Sequence, residues 1–171
     1  KPGVTTNRLN DLCHDFIVSH GAVPSPLNYR GFPKSICSSI NEEICHGIPS
    51  ERKLRNGDIV NLDITTYLNG FHGDTSKTFY VGSPRKKTSR LVETCKESLQ
   101  SAIEVVRPGA RLGDIGATIK NIADERGYSI VREFCGHGIG RNFHEDPQIL
   151  HFGNFGEGIE IKKGMVFTIE P

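Results

Sequence analysis

An Asn69-Gly70 dipeptide separates two stretches of alternating, β-branched sequence, and this pattern constrains the possible fold more than any other in the chain. The stretches are residues 59–67 and the segment that begins at Phe71. Asn-Gly favours a two-residue turn with positive φ at both positions, because the twist of such a turn matches that of the flanking strands. The sequence therefore predicts a β-hairpin in which Leu68 faces Phe71.

Two aspartates, Asp63 and Asp74, lie on opposite arms of this predicted hairpin. The register places Thr65 opposite Asp74, and Asp63 shares a face with Thr65 because side chains alternate along a strand. Diagonal neighbours are roughly 7–8 Å apart, so these side chains can converge on two ions about 3.5–4 Å apart. The alternative is a pair of solvated aspartates on an exposed sheet face, and a β-bulge would change the register. Adjacent carboxylates repel each other unless a cation neutralises them, which favours a metal site.

Three helices and a further strand are predicted from the spacing of apolar residues. The helices run from a capping Thr6 to His20-Gly21, from Ser89 to Arg107, and from Leu112 to Arg126 with Gly127 as the C-terminal cap. Their expected apolar faces are Leu9, Leu12, Cys13, Phe16 and Ile17; Leu91, Val92, Cys95, Leu99, Ala102, Ile103 and Val106; and Ile115, Ile119, Ile122 and Ala123. Residues 164–170 form the predicted strand. The fold class is therefore mixed α and β.

A shift of 106 residues aligns the first predicted helix with the third. It places Pro2-Gly3 on Pro108-Gly109 and Gly21 on Gly127. The two helices can be pseudo-symmetric partners, or two amphipathic helices with the same flanking turn signals can align by chance. An internal repeat requires that each helix be followed by a hairpin that carries part of a site.

The composition is that of an ordinary globular chain of 171 residues, for which a single domain is expected. A formal net charge of +1 makes direct nucleic-acid binding unexpected. We find neither a long apolar span nor a signal-peptide core, so no membrane association is expected. Five cysteines, with no C-x-x-C pair, suggest free thiols in a reducing compartment, and we expect a cytoplasmic location.

A second group of reactive residues follows Cys135. Glycines on both sides of His137 permit close approach of backbone or substrate, and they make a space-filling role in a core unfavourable. His144 lies close by in sequence, and Glu170 ends an apolar segment where a buried acid would need a partner. An exposed carboxylate at a strand end is the alternative for Glu170.

Four segments then resemble type I methionine aminopeptidases, in the same order and spacing. They are residues 45–49 (CHGIP), 69–79 (NGFHGDTSKTF), 135–140 (CGHGIG) and 167–171 (FTIEP). The similarity covers essentially the whole chain. It implies the pita-bread fold, which is a curved antiparallel sheet with helices on one side and two pseudo-symmetric α/β halves.

The resemblance also implies a site, residue by residue. The metal ligands would be Asp63, Asp74, His137 and Glu170, with Asp74 bridging two ions. His46, His144 and Glu170 would be catalytic, with both histidines also contacting the substrate. The methionine pocket would include Tyr29, Phe32, Cys37 and Phe143, although Pro26 stands where some bacterial members have cysteine. Because the family has a further glutamate ligand beyond the position of Pro171, we expect the second half and its site to be incomplete in this chain.

The implied reaction is removal of the initiator methionine from nascent chains whose second residue is small. Three carboxylates and one histidine form an oxygen-rich donor set that favours Co, Mn or Fe as the two divalent ions, with Zn also possible. The expected partners are nascent polypeptide N-termini, with the ribosome as a possible further partner. We expect a monomer. The alternatives are an Xaa-Pro aminopeptidase or prolidase-like enzyme and a non-catalytic binding protein of the same fold.

Overall fold

The computed structural model describes all 171 residues, which form two compact units, Lys1–Ser89 and Arg90–Pro171. Each unit has its own hydrophobic core. A single catalytic domain across the chain therefore stays a prediction. None of the helices is both long and apolar enough to cross a membrane.

Unit 1 is built around one long hairpin. Its elements are α1 (Thr6–Ser19), β1 (Val23–Pro24), β2 (Cys37–Ile40), β3 (Ile59–Leu68) and β4 (Phe71–Tyr80). Strand β4 pairs along one edge of β3, whereas β2 and β1 pair along the other edge, and every pairing is antiparallel. The core of the unit consists of Ile40, Leu54, Val60 and Val81, with Leu9 and Leu62 packed against it.

The predicted hairpin and its register are confirmed. Asn69 and Gly70 have φ values of 52° and 89°, as a two-residue turn with left-handed residues requires. Leu68 pairs with Phe71 and Thr65 pairs with Asp74, and the ladder continues without a bulge to Ile59. The turn chemistry is therefore sufficient to fix the position of Asp74 relative to β3.

Helix α1 differs from the prediction in its cap and in its buried face. The cap is Thr5, whose hydroxyl accepts a hydrogen bond from Arg8 N at 3.1 Å. Thr6 was wrong as the cap because it is already helical and buried, and its hydroxyl donates to the Ser50 carbonyl. On the predicted apolar face, Leu12 and Phe16 are 48% and 66% exposed. The buried positions of α1 are Thr6, Asn10 and Ile17.

The remaining elements are α2 (Lys86–Glu104), α3 (Leu112–Glu125), β5 (Gly136–Gly138) and β6 (Glu145–Ile149). Helix α2 begins and ends three residues earlier than predicted. Its buried residues are Thr94, Ser98 and Ala102, a row of small side chains at four-residue spacing, so of the predicted apolar face only Ala102 is buried. Large apolar residues at helical spacing therefore do not identify the buried face of α2.

Helix α3 lies as predicted, and its two glycines have a structural reason. A Cβ on Gly113 would lie 2.5 Å from the Asn154 carbonyl oxygen, and one on Gly116 would lie 2.4 Å from that of Phe152. Glycine disfavours a helix by about 1 kcal/mol relative to alanine, yet at these two positions it admits the backbone of residues 150–158. Around α3 the core of unit 2 comprises Ala102, Ala110, Leu112, Ile115, Ile119, Ile149 and Ile161.

The predicted strand at residues 164–170 is largely wrong. Only Phe167 makes a strand bridge, to Gly138, and Thr168 N donates to the His137 carbonyl at 2.9 Å. Strand β5 is three residues long and its pairing with β6 shifts register between His137 and Gly138. A short, irregular partner cannot support a regular ladder, however strongly the sequence favours an extended backbone.

The internal repeat is supported element by element. Helices α1 and α3 have 14 residues each and begin 106 residues apart, at Thr6 and Leu112. The residues before them form equivalent bridges, Thr5 with Lys53 and Arg111 with Glu160. Both helices end at a left-handed glycine with φ near 75°. Each is followed by an antiparallel pair that carries predicted ligands, so the two pseudo-symmetric halves are present.

Candidate metal centre

Unit 1 places two predicted ligands and one predicted pocket residue together. Cys37 pairs with Asp63 across β2 and β3, and Asp74 pairs with Thr65, which lies on the same face as Asp63. Both aspartates are half-buried. Two carboxylates and a thiol therefore share one face of the sheet.

The pKa of the Cys37 thiol reflects its burial and the proximity of these carboxylates. Its burial, and then the nearby charges of Asp63, Cys45 and Asp74, raise the pKa of the thiol to about 12. The Cys37 thiol is thus protonated at neutral pH and is a neutral surface, not a thiolate ligand. A protonated thiol suits the apolar pocket role that the family resemblance implies for it.

His46 lies in a loop fixed against β2. Ser38 N donates to the Gly47 carbonyl at 2.8 Å, and a Cβ on Gly47 would lie 2.2 Å from the Ser38 carbonyl oxygen. His46 itself has a φ of 55° and an exposed side chain. The loop therefore presents His46 beside the strand that carries Cys37. The two other pocket residues of unit 1, Tyr29 and Phe32, are half-buried in one turn, with Phe32 N donating to the Tyr29 carbonyl at 3.0 Å.

Unit 2 brings four predicted site residues together. The ring centroids of His137 and His144 are 4.2 Å apart, and Phe143 stacks on His144 at 4.3 Å. His137 Nε2 lies 3.9 Å from Glu170 Oε1. One ligand pair, one catalytic histidine and one pocket aromatic are thus neighbours within this unit.

The hydrogen bond of the His137 ring suits a metal ligand. Its Nδ1 lies 2.8 Å from the Gly138 carbonyl oxygen, which can only accept, so the proton of the neutral ring resides on Nδ1. The Nε2 lone pair then points to the side of Glu170. This is the arrangement in which protein histidines bind metal through one nitrogen while the other donates to a carbonyl.

Thr168 links the two predicted ligands of unit 2. Its hydroxyl accepts from His137 N at 2.9 Å and donates to Glu170 Oε1 at 2.6 Å. The adjacent backbone permits no side chain at position 136, where a Cβ would lie 2.3 Å from the Thr168 carbonyl oxygen. Thr168 and Gly136 therefore hold the His137 backbone and the Glu170 carboxylate in one fixed relation.

His151 supports Glu170 from the other side. Glu170 N donates to His151 Nε2 at 3.3 Å, which requires an uncharged ring nitrogen. Burial lowers the pKa of His151 to about 4. His151 is therefore neutral at physiological pH and acts as a fixed acceptor for the Glu170 backbone.

The predicted ligands of each unit, considered separately, have donor atoms that suit a divalent metal ion. Two ligand atoms that each lie about 2.1 Å from one ion can be up to about 4.2 Å apart, and the 3.9 Å between His137 and Glu170 falls inside this span. The aspartates of unit 1 add oxygen donors, which hard cations prefer. No group of three or more His, Cys, Asp or Glu side chains is arranged as a metal cluster. Of the predicted ligands, Asp63 and Asp74 lie in unit 1, and His137 and Glu170 lie in unit 2. The four-ligand set stays a proposal.

The match to known proteins agrees with these features. The chain belongs to metallopeptidase family M24, whose profile covers residues 1–171. All 171 residues of the chain align with a methionine aminopeptidase of Rickettsia prowazekii at 57% identity. The chain spans 66% of the length of that relative. The predicted resemblance to methionine aminopeptidases is confirmed.

Solved structures give the same result. The crystal structure of methionine aminopeptidase from Rickettsia prowazekii matches 99% of this chain, and 68% of that chain is covered, with a TM-score of 0.97. A recombinant prolidase from Thermococcus sibiricus is more distant, with 28% identity and a TM-score of 0.79 over 98% of this chain and 44% of that one. The mixed α/β, pita-bread class is therefore confirmed, and the prolidase-like alternative is the weaker one.

Sequence reasoning missed two residues of the centre. Thr168 had a usable signal, because it lies two residues before Glu170 and so on the same face of an extended segment. His151 had no such signal, because its position between Leu150 and Phe152 does not indicate a contact with the backbone of Glu170.

Proposed function

We propose that this chain provides the metal-binding core of a methionine aminopeptidase, which removes the initiator methionine from nascent proteins when the second residue is small. The observation that supports it most directly is the His137–Glu170 pair with Nε2 oriented for a ligand, found in a chain of a metallopeptidase family. Two divalent ions, Co, Mn, Fe or Zn, would be held by Asp63, Asp74, His137 and Glu170. Bound metal supplies Lewis acidity and lowers the pKa of water towards about 7.

The side chains of the centre would handle the substrate and its protons. His144, exposed beside His137, would donate a hydrogen bond to the scissile carbonyl oxygen, and His46 would contact the substrate backbone or amine. Glu170 would carry a proton to the leaving amine. The hydrogen bond that Thr168 donates to Glu170 Oε1 would hold the carboxylate for both of these proposed roles.

The methionine side chain would be bound by apolar and soft groups. Tyr29, Phe32, Cys37 and Phe143 provide two phenyl rings, a phenol and a protonated thiol, which suit a thioether. The acidic metal side of the site would leave little room for a bulky second residue, which would restrict cleavage to chains with a small residue there. Such substrates are the N-termini of newly made polypeptides.

The test is peptide cleavage by the full-length protein, with metal content measured by mass spectrometry. We expect Met-Ala-Ser to be cleaved and an Xaa-Pro peptide not to be. Loss of a residue that only supports a metal ligand lowers activity by up to about 100-fold. Because Asp74 is proposed as a direct ligand, Asp74→Asn should lower kcat/KM by more than about 100-fold and should also reduce the bound metal. Asp15→Asn, a change at an exposed carboxylate of α1, is the matched control and should leave both unchanged.

Other results would decide among the alternatives. Preferential cleavage of the Xaa-Pro peptide would replace the proposal with a prolidase-like activity. A wild-type protein that binds no divalent metal and cleaves neither peptide would leave a non-catalytic binding protein.

A further inference from the structure

Helix α1 holds the segment before β2 through three polar side chains. Asn10 Oδ1 accepts from Ser35 N at 2.9 Å, and His14 Nδ1 is hydrogen-bonded to Ser35 Oγ at 2.8 Å. One turn earlier, Asn7 Oδ1 accepts from Lys34 Nζ at 2.8 Å. Positions 7, 10 and 14 follow the helical spacing, so the three side chains form one polar stripe, which we call the α1 stripe.

The central contact of the α1 stripe is buried. Asn10 is 7% exposed and Ser35 is 2% exposed. A buried backbone N–H that loses its only strong acceptor is costly, and water has little access to replace it here. The Asn10–Ser35 bond therefore fixes the backbone at residue 35 more strongly than an exposed contact would.

The anchored dipeptide lies between two residues of the proposed methionine pocket. Phe32 precedes Lys34-Ser35 by two residues, and Cys37, the first residue of β2, follows by two. The backbone at Ser35 therefore controls where both pocket side chains begin. A displacement of this segment would change the shape of the pocket without touching a metal ligand.

The internal repeat shows that the α1 stripe is not needed to build such a helix. The equivalent of Asn10 in α3 is Gly116, which packs against backbone, and the equivalent of Thr6 is Leu112. The buried face of α3 is apolar or glycine throughout. Polar burial in α1 is thus specific to the half that carries the pocket segment.

We propose that Asn10 and His14 are positioning residues that set selectivity for the methionine side chain by fixing the Phe32–Cys37 wall of the pocket. The inference rests on the proposed function, since it assigns α1 to the substrate pocket of that same enzyme. It requires no change in the metal centre. Loss of the α1 stripe should therefore act on substrate binding and on discrimination between side chains.

The experiment compares Asn10→Leu, which has a similar branched shape, a larger volume and no acceptor, with Asn10→Asp, which keeps the acceptor oxygen. For Asn10→Leu we expect KM for Met-Ala-Ser to rise about tenfold, the effect of a poorly shaped apolar pocket, while kcat stays within about threefold. Preference for Met-Ala-Ser over Leu-Ala-Ser should fall by a similar factor. Asn10→Asp keeps the acceptor but loses the donation from Asn10 Nδ2 to Asp11 Oδ1 at 3.3 Å, so it should lie closer to the wild type than Asn10→Leu does. Phe16→Ala, at an exposed position of the same helix, should behave like the wild type.

His14→Ala is a second variant, at a half-buried position, should Asn10→Leu fail to fold. Hydrogen exchange gives an independent readout, because the amides of residues 35–37 should lose protection in Asn10→Leu and His14→Ala and keep it in Asn10→Asp. If the wild type cleaves Met-Ala-Ser and both variants keep its KM and its selectivity, the inference is overturned while the proposed function stands. A wild type that does not cleave Met-Ala-Ser would overturn the proposed function and, with it, the assignment of α1 to the pocket.

Discussion

Helices α1 and α3 occupy equivalent positions in the two halves of the repeat, yet they bury different kinds of side chain. Both have 14 residues and both end at a left-handed glycine. Helix α3 buries Ile115 and Ile119 in the core of unit 2, whereas α1 buries Thr6 and Asn10. A repeated backbone does not require repeated packing.

The difference teaches where each half gains its rigidity. In unit 2, α3 joins an apolar core, and the proposed ligand Glu170 is held by the separate Thr168 and His151 contacts. In unit 1, the proposed ligands Asp63 and Asp74 lie on a regular hairpin, and α1 holds a loop by hydrogen bonds. Burial of apolar surface is non-directional, while hydrogen bonds fix a defined geometry, so the two halves differ in what their helices position.

The largest expected effect concerns acid stability, which should separate the two units. His151 has a pKa of about 4 in the folded protein against 6.5 for the free group. Between pH 4 and pH 6.5 the unfolded chain binds more protons than the folded protein does. The contribution of neutral His151 to folding stability is therefore complete above pH 6.5 and is lost as pH falls towards 4. The difference corresponds to about 3 kcal/mol. Hydrogen exchange from pH 7 to 4.5 should therefore show unit 2 losing protection.

Unit 1 should respond at lower pH. Burial alone would raise the pKa of Asp58, but hydrogen bonds from Asn41 and Arg55 N and the charges of Arg52 and Arg55 outweigh it and lower the pKa. Its contribution is present above the ordinary carboxyl pKa and is lost only as pH falls below that value. His151→Asn should flatten the response of unit 2, whereas His20→Asn, at an exposed site, should not. Equal loss of protection in both units would refute the distinction.

A smaller effect is expected at the position where α3 differs most from α1. Gly116→Ala would gain about 1 kcal/mol in helix propensity, but its Cβ would press on backbone carbonyls of Phe152 and Leu150. We expect a net loss of about 1–3 kcal/mol, typical of overpacking, in the free energy of unfolding measured with urea. Gly73→Ala is the control, because its Cβ would meet only the Thr66 hydroxyl at 4.0 Å. Stabilisation by Gly116→Ala would mean that the close contact at α3 does not exist.

The smallest effect concerns the helix caps, where the repeat also differs. Helix α1 uses the Thr5 hydroxyl, whereas at α3 the Asp114 carboxylate accepts from Arg111 N at 2.8 Å and from Gly156 N at 2.7 Å. Thr5→Ala should cost about 1 kcal/mol in a thermal or urea melt. Arg8→Ala, which leaves the capping N–H in place, should change stability by less than about 0.5 kcal/mol. An equal cost for both would show that the hydroxyl does not cap α1.

Sequence patterns located the elements whose signals are local. The Asn69-Gly70 turn fixed the register of β3 and β4, because a two-residue turn leaves no freedom in the pairing. The bounds of α3 also followed from its apolar spacing and from Gly127. The four segments shared with methionine aminopeptidases contain four of the proposed site residues, His46, Asp74, His137 and Glu170. Two of them in the same unit, His137 and Glu170, lie close together.

Contacts distant in sequence were not predictable in the same way. Whether α2 buries Leu91 or Ser98 depends on what packs against it, and the short β5 could not pair residues 164–170 into a ladder.

The sequence by itself thus determined the fold class, the hairpin that carries Asp63 and Asp74, and the family, since turn chemistry, periodicity and motif spacing are written along the chain. Only the tertiary structure decided that His151 holds Glu170 and that Asn10 and His14 hold Ser35. These bonds join residues up to 25 positions apart. Whether a polar side chain finds such a partner depends on which distant backbone the folded chain brings to it, and no local pattern encodes that.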